Sequence, residues 1–115
     1  MLKFTIEKEW PTRSGLQAII VLIDIDCHTF HCGYVGVPST HSLHKLHFTD
    51  IALTKEPHGG ITYSGYLDNL PRDIDFWYLG FDCNHDGDTL DIYTLDFCIN
   101  ECERLSDQLQ EVEPN

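Results

Sequence analysis

Leu95-Asp96-Phe97-Cys98-Ile99-Asn100-Glu101-Cys102-Glu103-Arg104-Leu105-Ser106-Asp107-Gln108-Leu109-Gln110-Glu111-Val112 is the stretch that decides the fold class. On a helical wheel Leu95, Cys98, Cys102, Leu105, Leu109 and Val112 share one face, spaced by three or four residues after Cys98. Asp96, Glu103, Asp107 and Glu111 share the opposite face, and Pro114 stops the pattern. The spacing predicts a helix near 94–112. A helix with one apolar stripe needs another layer to cover it.

That layer has to come from upstream, where the pattern is strand-like. Residues 16–27 carry Ile19, Ile20, Val21, Ile23 and Ile25, too β-branched and too short a run for a helix. The later alternation of Ile23 and Ile25 with Asp24 and Asp26 predicts that this strand emerges into solvent on one face. Further strands are expected near 4–9, 30–37, 61–67 and 75–82. Trp10-Pro11 should end the first, and a hairpin turn is expected at 28–29 or 28–31. Residues 39–57 have no clean period and predict a long loop with one helical turn. The sum is a single α+β domain over 1–115: a small antiparallel sheet of four to five strands with one long C-terminal helix packed on it.

Charge is divided unevenly along the chain. Residues 1–58 hold six Asp/Glu and five Lys/Arg, whereas residues 59–115 hold thirteen and two, for a net charge of −12. Such a surface repels nucleic acid and anionic lipid, so no direct nucleic-acid partner is expected. No run of about 18 apolar residues is present, so no membrane span is expected. The N-terminal residues lack a signal-peptide pattern, which predicts a cytoplasmic location. Five cysteines without a repeated C-x-x-C spacing fit reduced thiols.

Two clusters place reactive side chains among glycines: His58-Gly59-Gly60-Ile61-Thr62-Tyr63-Ser64-Gly65 and Gly80-Phe81-Asp82-Cys83-Asn84-His85-Asp86-Gly87-Asp88. The second matches the first half of a calcium loop, with oxygens at alternate positions before a glycine. The position that should supply the bidentate glutamate is Tyr93. An Asx-rich turn, with carboxylates capping backbone N–H groups, reads the same residues more simply. His58, Asp82 and His85 are candidates for a divalent metal site or for a histidine base oriented by an aspartate, with Cys83 as a nucleophile. They equally suit a role in holding the glycine loops in place. His41-x-x-His44-x-x-His47 fans too widely on a helix for one ion and reads as a polar loop. Cys27-His28-x-x-His31-Cys32 is too compact for a closed zinc site and reads as a hairpin tip. Cys98 and Cys102 lie on the helix's apolar stripe and read as core.

The acidic face is a separate signal. Like charges at i, i+4 and i+8 cost a few tenths of a kcal/mol per pair, so changing Glu103, Asp107 and Glu111 to Gln is expected to stabilise the protein slightly. Carboxylates about 6 Å apart approach the spacing of phosphates along a nucleic-acid strand, which suits a mimic that occupies a basic groove. A solvated helix face is the simpler reading.

The segments Phe30 to Pro38, His58 to Gly65, Trp77 to Asp88 and Glu101 to Leu105 resemble a group of small proteins from bacteriophages, prophages and other mobile elements. The shared patterns are HGG(I/L)TYSG and W-x-x-GFDC-x-H-x-GD, and the likeness runs from about Trp10 to Leu109. In that group the positions of Asn84 and Asp86 commonly hold small residues. This implies that the calcium-loop match is incidental, and that His58, Asp82, Cys83, His85 and Asp88 belong to the shared framework. The resemblance implies a counter-defence context: an accessory protein, in the cytoplasm of a bacterial host, that inhibits or sequesters a host factor.

Two binding modes follow. The acidic helix could occupy a nucleic-acid-binding defence protein. Alternatively His58, Gly59, Gly60, Tyr63, Trp77, Asp82, Cys83, His85 and Asp88 could form a pocket for a host protein or small ligand, the glycine N–H groups serving as an anion nest. No cofactor is expected beyond a possible divalent metal. The alternative is a small metal-dependent hydrolase using His58, Asp82, His85 and Asp88.

Overall fold

The computed structural model describes residues 2–26, 28–53, 56–67, 76–84, 90 and 92–112. Five strands precede one helix: β1 (Leu2–Pro11), β2 (Gln17–Ile25), β3 (His28–Val37), β4 (Tyr63–Gly65), β5 (Trp77–Asp82) and α1 (Leu95–Val112). A single 3-10 turn, Phe48–Asp50, is the helical turn expected in the long loop. The strands form one antiparallel sheet in the order β1-β2-β3-β5-β4, so the predicted α+β architecture is the observed one.

Three boundaries differ from expectation. β1 runs through Trp10 and ends at Pro11 instead of stopping before them. Proline is tolerated there because β1 is an edge strand, and an edge needs no outward donor. The turn between β2 and β3 falls before His28, not at 28–31, because Ile25 pairs with His28 and Asp26 takes φ 53. Aspartate is one of the few residues that accepts that conformation at modest cost. β4 keeps only three of the seven residues predicted as strand.

The sheet is apolar on both faces. On one side Ala18, Ile20, Val35, Val37, Leu79 and Phe81 pack against Cys98, Cys102, Leu105 and Leu109 of α1. The other side carries Ile19, Val21 and Tyr78, flanked by Ile6, Ile23, Tyr34, Tyr63 and Phe76. This explains the nearly continuous apolar run of β2, since a strand covered on both faces has no polar alternation to show. Ile23 is half-buried and Ile25 exposed, so the strand does emerge into solvent towards its end.

α1 begins where Thr94 Oγ1 accepts from the Phe97 N–H at 3.2 Å, a capping bond that satisfies one of the free first-turn donors. Asp96 in that turn suits the positive end of the helix. Close approach to the sheet depends on glycine. A Cβ on Gly33 would lie 2.5 Å from Phe81 Cζ and 2.9 Å from Cys102 Sγ.

Candidate functional site

Thr62 is where the two glycine-bearing clusters meet. Its N–H donates to Gly80 O at 2.8 Å, and its Oγ1 donates to Asp82 Oδ2 at 3.0 Å. Asp82 Oδ1 accepts from the Asn84 N–H at 3.0 Å, closing the Asx turn the sequence suggested. Asn84 Oδ1 in turn meets His28 Nε2 from the start of β3. Cys83 N–H donates to His31 O at 2.9 Å, which ties the end of β5 to β3. Thr62, Asp82, Asn84 and His28 thus form a polar rim at one end of the sheet.

The loop that carries Thr62 to the rim has its own anchors. The His58 N–H donates to Glu101 Oε1 at 2.9 Å. Its ring lies 4.3 Å from that of Tyr93 and edge-on to Phe97 at 5.7 Å, centroid to centroid. Gly59 and Gly60 take φ 72 and 82, a conformation glycine adopts without steric cost. Gly60 N–H closes the turn on Pro57 O at 2.8 Å.

The predicted binding residues do not all share this place. Trp77 sits at the opposite end of β5, roughly 16 Å of strand from Asp82, where its Nε1 donates to Leu46 O at 2.8 Å. Tyr63 lies on the sheet face away from α1, edge-on to Tyr34 at 5.4 Å, and donates its hydroxyl to Tyr66 O. Cys83 is buried under the helix, its Sγ 3.9 Å from Cys98 Sγ. His85 and Asp88 lie outside the described residues, as do Asp86 and Gly87, so the candidate metal set is placed only at His58 and Asp82. Among the described residues no group of three His, Cys, Asp or Glu side chains is arranged to hold a metal ion.

The histidine-rich segments have separate structural tasks. His41 is buried, accepts from the Leu43 N–H through Nδ1 and meets Leu109 O through Nε2 at 2.9 Å. His44 lies beside the rings of Tyr66 and Trp77, and His47 caps the 3-10 turn by accepting from Thr49 N–H. His31 is in β3 rather than a hairpin tip, between Glu7 Oε1 at 3.0 Å and Tyr93 O at 3.1 Å.

The acidic face is corrected more sharply. Glu103 and Asp107 do not face solvent as an open row: they hold the β1–β2 turn against α1. Glu103 accepts from Trp10 Nε1 at 2.9 Å and from Arg13 N–H at 3.0 Å. Asp107 accepts from Arg13 Nη2 at 2.6 Å, from Arg13 Nε at 3.0 Å and from the Ser14 hydroxyl. Those donors hold its carboxyl below the usual range, with the Arg13 hydrogen bonds the largest cause. Only Asp96 and Glu111 of the four are exposed. Neutralising Glu103 and Asp107 would therefore weaken the domain, opposite to the expectation from helix spacing alone.

Neither Glu101 nor Thr62 stands out as a site residue in the sequence. Glu101 is only 7% exposed and also receives Arg104 Nη1. The signal was present: Glu101 is three residues after Cys98 and four before Leu105, which sets a carboxylate on the apolar side of the wheel.

No protein-family model and no solved structure matches the chain. One curated protein is similar to part of it. A thiol peroxidase of Streptococcus agalactiae is 30% identical over 70 residues, covering 61% of this chain. The match spans only 40% of that peroxidase.

A nucleophilic sulfur has to be accessible and readily ionised. Cys32, Cys83, Cys98 and Cys102 are all buried. Burial pushes the Cys32 thiol up to about 12 and raises that of Cys102 as well. Cys98 is raised by its hydrogen bond with Cys83 and then by burial. Thiols so shifted stay protonated at neutral pH, whereas the thiolate is the reactive species. Elsewhere, a cavity of about 300 Å³ opens between Gly15, Gln17, Pro38, His41, Phe76 and Gln110. No helix of the described residues is long and apolar enough to cross a membrane.

Proposed function

We propose that the protein is a binding protein of the phage accessory kind, which sequesters a host factor in the bacterial cytoplasm through the polar rim at Thr62 and Asp82. The observation that carries this reading is the double attachment of Thr62 to β5, by backbone to Gly80 and by side chain to Asp82. It fixes a carboxylate and its neighbours in advance, at the end of a rigid sheet, and preorganised polar groups lose little on binding. The surrounding half of the chain carries a balance of thirteen acids against two bases, which favours a basic protein surface as partner. The acidic-helix mode is the weaker of the two binding modes, because Glu103 and Asp107 are engaged within the chain.

The test is capture from a bacterial host lysate by wild type, Asp82→Ala, Thr62→Val and Glu111→Gln, each checked for a native circular-dichroism spectrum. The rim reading expects a partner held by wild type and Glu111→Gln and lost by the two rim variants. A partner held equally by all four, or lost only by Glu111→Gln, would sink it.

Two other readings rank lower. The likeness to a thiol peroxidase, together with the 3.9 Å approach of Cys83 to Cys98, favours a thiol-redox role. The burial of Cys32, Cys83, Cys98 and Cys102 weighs against it, and peroxide consumption by the purified protein with a thiol reductant decides it. A metal-dependent hydrolase on His58, Asp82, His85 and Asp88 draws no support from the described residues. Stoichiometric zinc or manganese in the purified protein would restore it.

A further inference from the structure

The sheet has two edge strands. β4 offers three residues and β1 offers ten. Among the described residues no strand pairs with the outer side of β1. Natural sheets blunt so long an edge with bulges, proline or inward charges. β1 carries Lys3 and Lys8 along it, Pro11 at its end, and a register shift between Ile6 and Lys8 that leaves Glu7 without a paired residue on β2. The run Lys3 to Ile6 pairs with β2 without a break. Phe4 there is 41% exposed, and Ile25, on the same sheet face, is 40% exposed.

We propose that this run is a self-association edge, on which a second copy of the chain pairs antiparallel about a two-fold axis at Thr5. In that register Lys3 stands opposite Glu7 of the second copy, Phe4 opposite Ile6, and Thr5 opposite Thr5. The axis repeats each pair. Residues directly opposed across an antiparallel pair share a sheet face. The two opposite-charge pairs therefore fall on the helix side, and the two apolar pairs on the other. Moving the axis to Ile6 sets Lys8 against Phe4. Moving it to Phe4 leaves Lys3 opposite Thr5.

The charge distribution suits this edge. Two copies each carrying −12 repel, but β1 holds two lysines and two glutamates and is neutral. Glu7 is already oriented, with Oε1 3.0 Å from His31 Nε2 and its side chain 32% exposed. Lys3 makes no ion pair with any described residue, although Asp24 stands opposite it on β2. Lys3 is thus left to meet Glu7 of the second copy on both sides of the axis.

The test is a charge-swap cycle followed by sedimentation velocity over a concentration series. Wild type is expected to dimerise reversibly. Lys3→Glu alone sets Glu against Glu, and Glu7→Lys alone sets Lys against Lys. Each should raise the dissociation constant about tenfold or more. Mixed one to one, the two variants are complementary and should form a heterodimer near wild-type strength. A wild type that stays monomeric up to its solubility limit overturns the proposal, as does a mixture that stays monomeric. Glu7→Lys also removes the His31 contact. If it does not fold, Phe4→Asp replaces it: a weakened dimer supports the edge, and an unchanged one overturns it.

Discussion

Glu101→Ala is the perturbation that most directly separates loop anchoring from simple helix packing. The wild-type carboxylate accepts the His58 N–H at 2.9 Å and the Arg104 guanidinium, while only 7% exposed. A hydrogen bond to a charged group contributes about 1.5–3 kcal/mol. A helical ion pair with an exposed partner adds roughly 0.3–0.5 kcal/mol. Relief of the carboxylate's burial offsets part of this, so the net loss is about 2 kcal/mol. For a domain of this size the loss lowers the Tm by roughly 8 °C. Glu101→Gln keeps an acceptor for His58 and loses only the charge, so it should cost about half as much. Urea denaturation measures the stabilities. Amide hydrogen exchange at His58 reads the anchor itself: protection should collapse in the alanine variant and survive in the glutamine variant. Glu101→Ala within about 0.5 kcal/mol of wild type, with His58 exchange unchanged, would refute the assignment of Glu101 as the loop's anchor.

Three further outcomes are expected. Asp107→Asn should be less stable than wild type near neutral pH by about 1 kcal/mol, a value discounted for the partial exposure of the pair. Because the folded carboxyl lies below its ordinary 3.8, the difference is complete above that pH and closes as the pH falls further, as thermal melts at stepped pH would show. Gly33→Ala should cost about 1–3 kcal/mol, since the added methyl meets Phe81 and Cys102 at less than contact distance; an unchanged denaturation midpoint would contradict the close packing of α1 on β3. In the native protein Cys32, Cys83, Cys98 and Cys102 should resist Ellman's reagent at neutral pH and react promptly in urea, whereas rapid native labelling of all four would contradict their burial.

The parts of this molecule legible in its sequence are those governed by local periodicity. α1 was readable because Cys98, Cys102, Leu105 and Leu109 recur at helical spacing, and all four are fully buried. β2 was readable from its β-branched run. What could not be read is pairing over long separations. Glu103 and Asp107 look like a solvated row until Trp10, Arg13 and Ser14, more than 90 residues earlier, are brought beside them. His41 looks like part of a polar loop until the C-terminal turn of α1 presents Leu109 O to it. The 58–65 and 80–88 segments were expected to converge; Thr62 meets Gly80 and Asp82, while residues 85–88 lie outside the described residues. Trp77 was assigned to the same place because it is near in sequence, but a strand carries its two ends apart at about 3.3 Å per residue.

The clamp formed by residues 10–14 and 103–110 joins segments more than 90 residues apart. During synthesis the first turn leaves the ribosome long before the helix that holds it exists. Until the last of α1 has been made, the β2–β3 hairpin has nothing to lay its isoleucines and valines against. Assembly therefore waits until α1 has emerged, when one docking event closes the sheet's covered face. A frameshift or premature stop within the codons of α1 would thus leave the strands β1 to β5 in a chain unable to consolidate them.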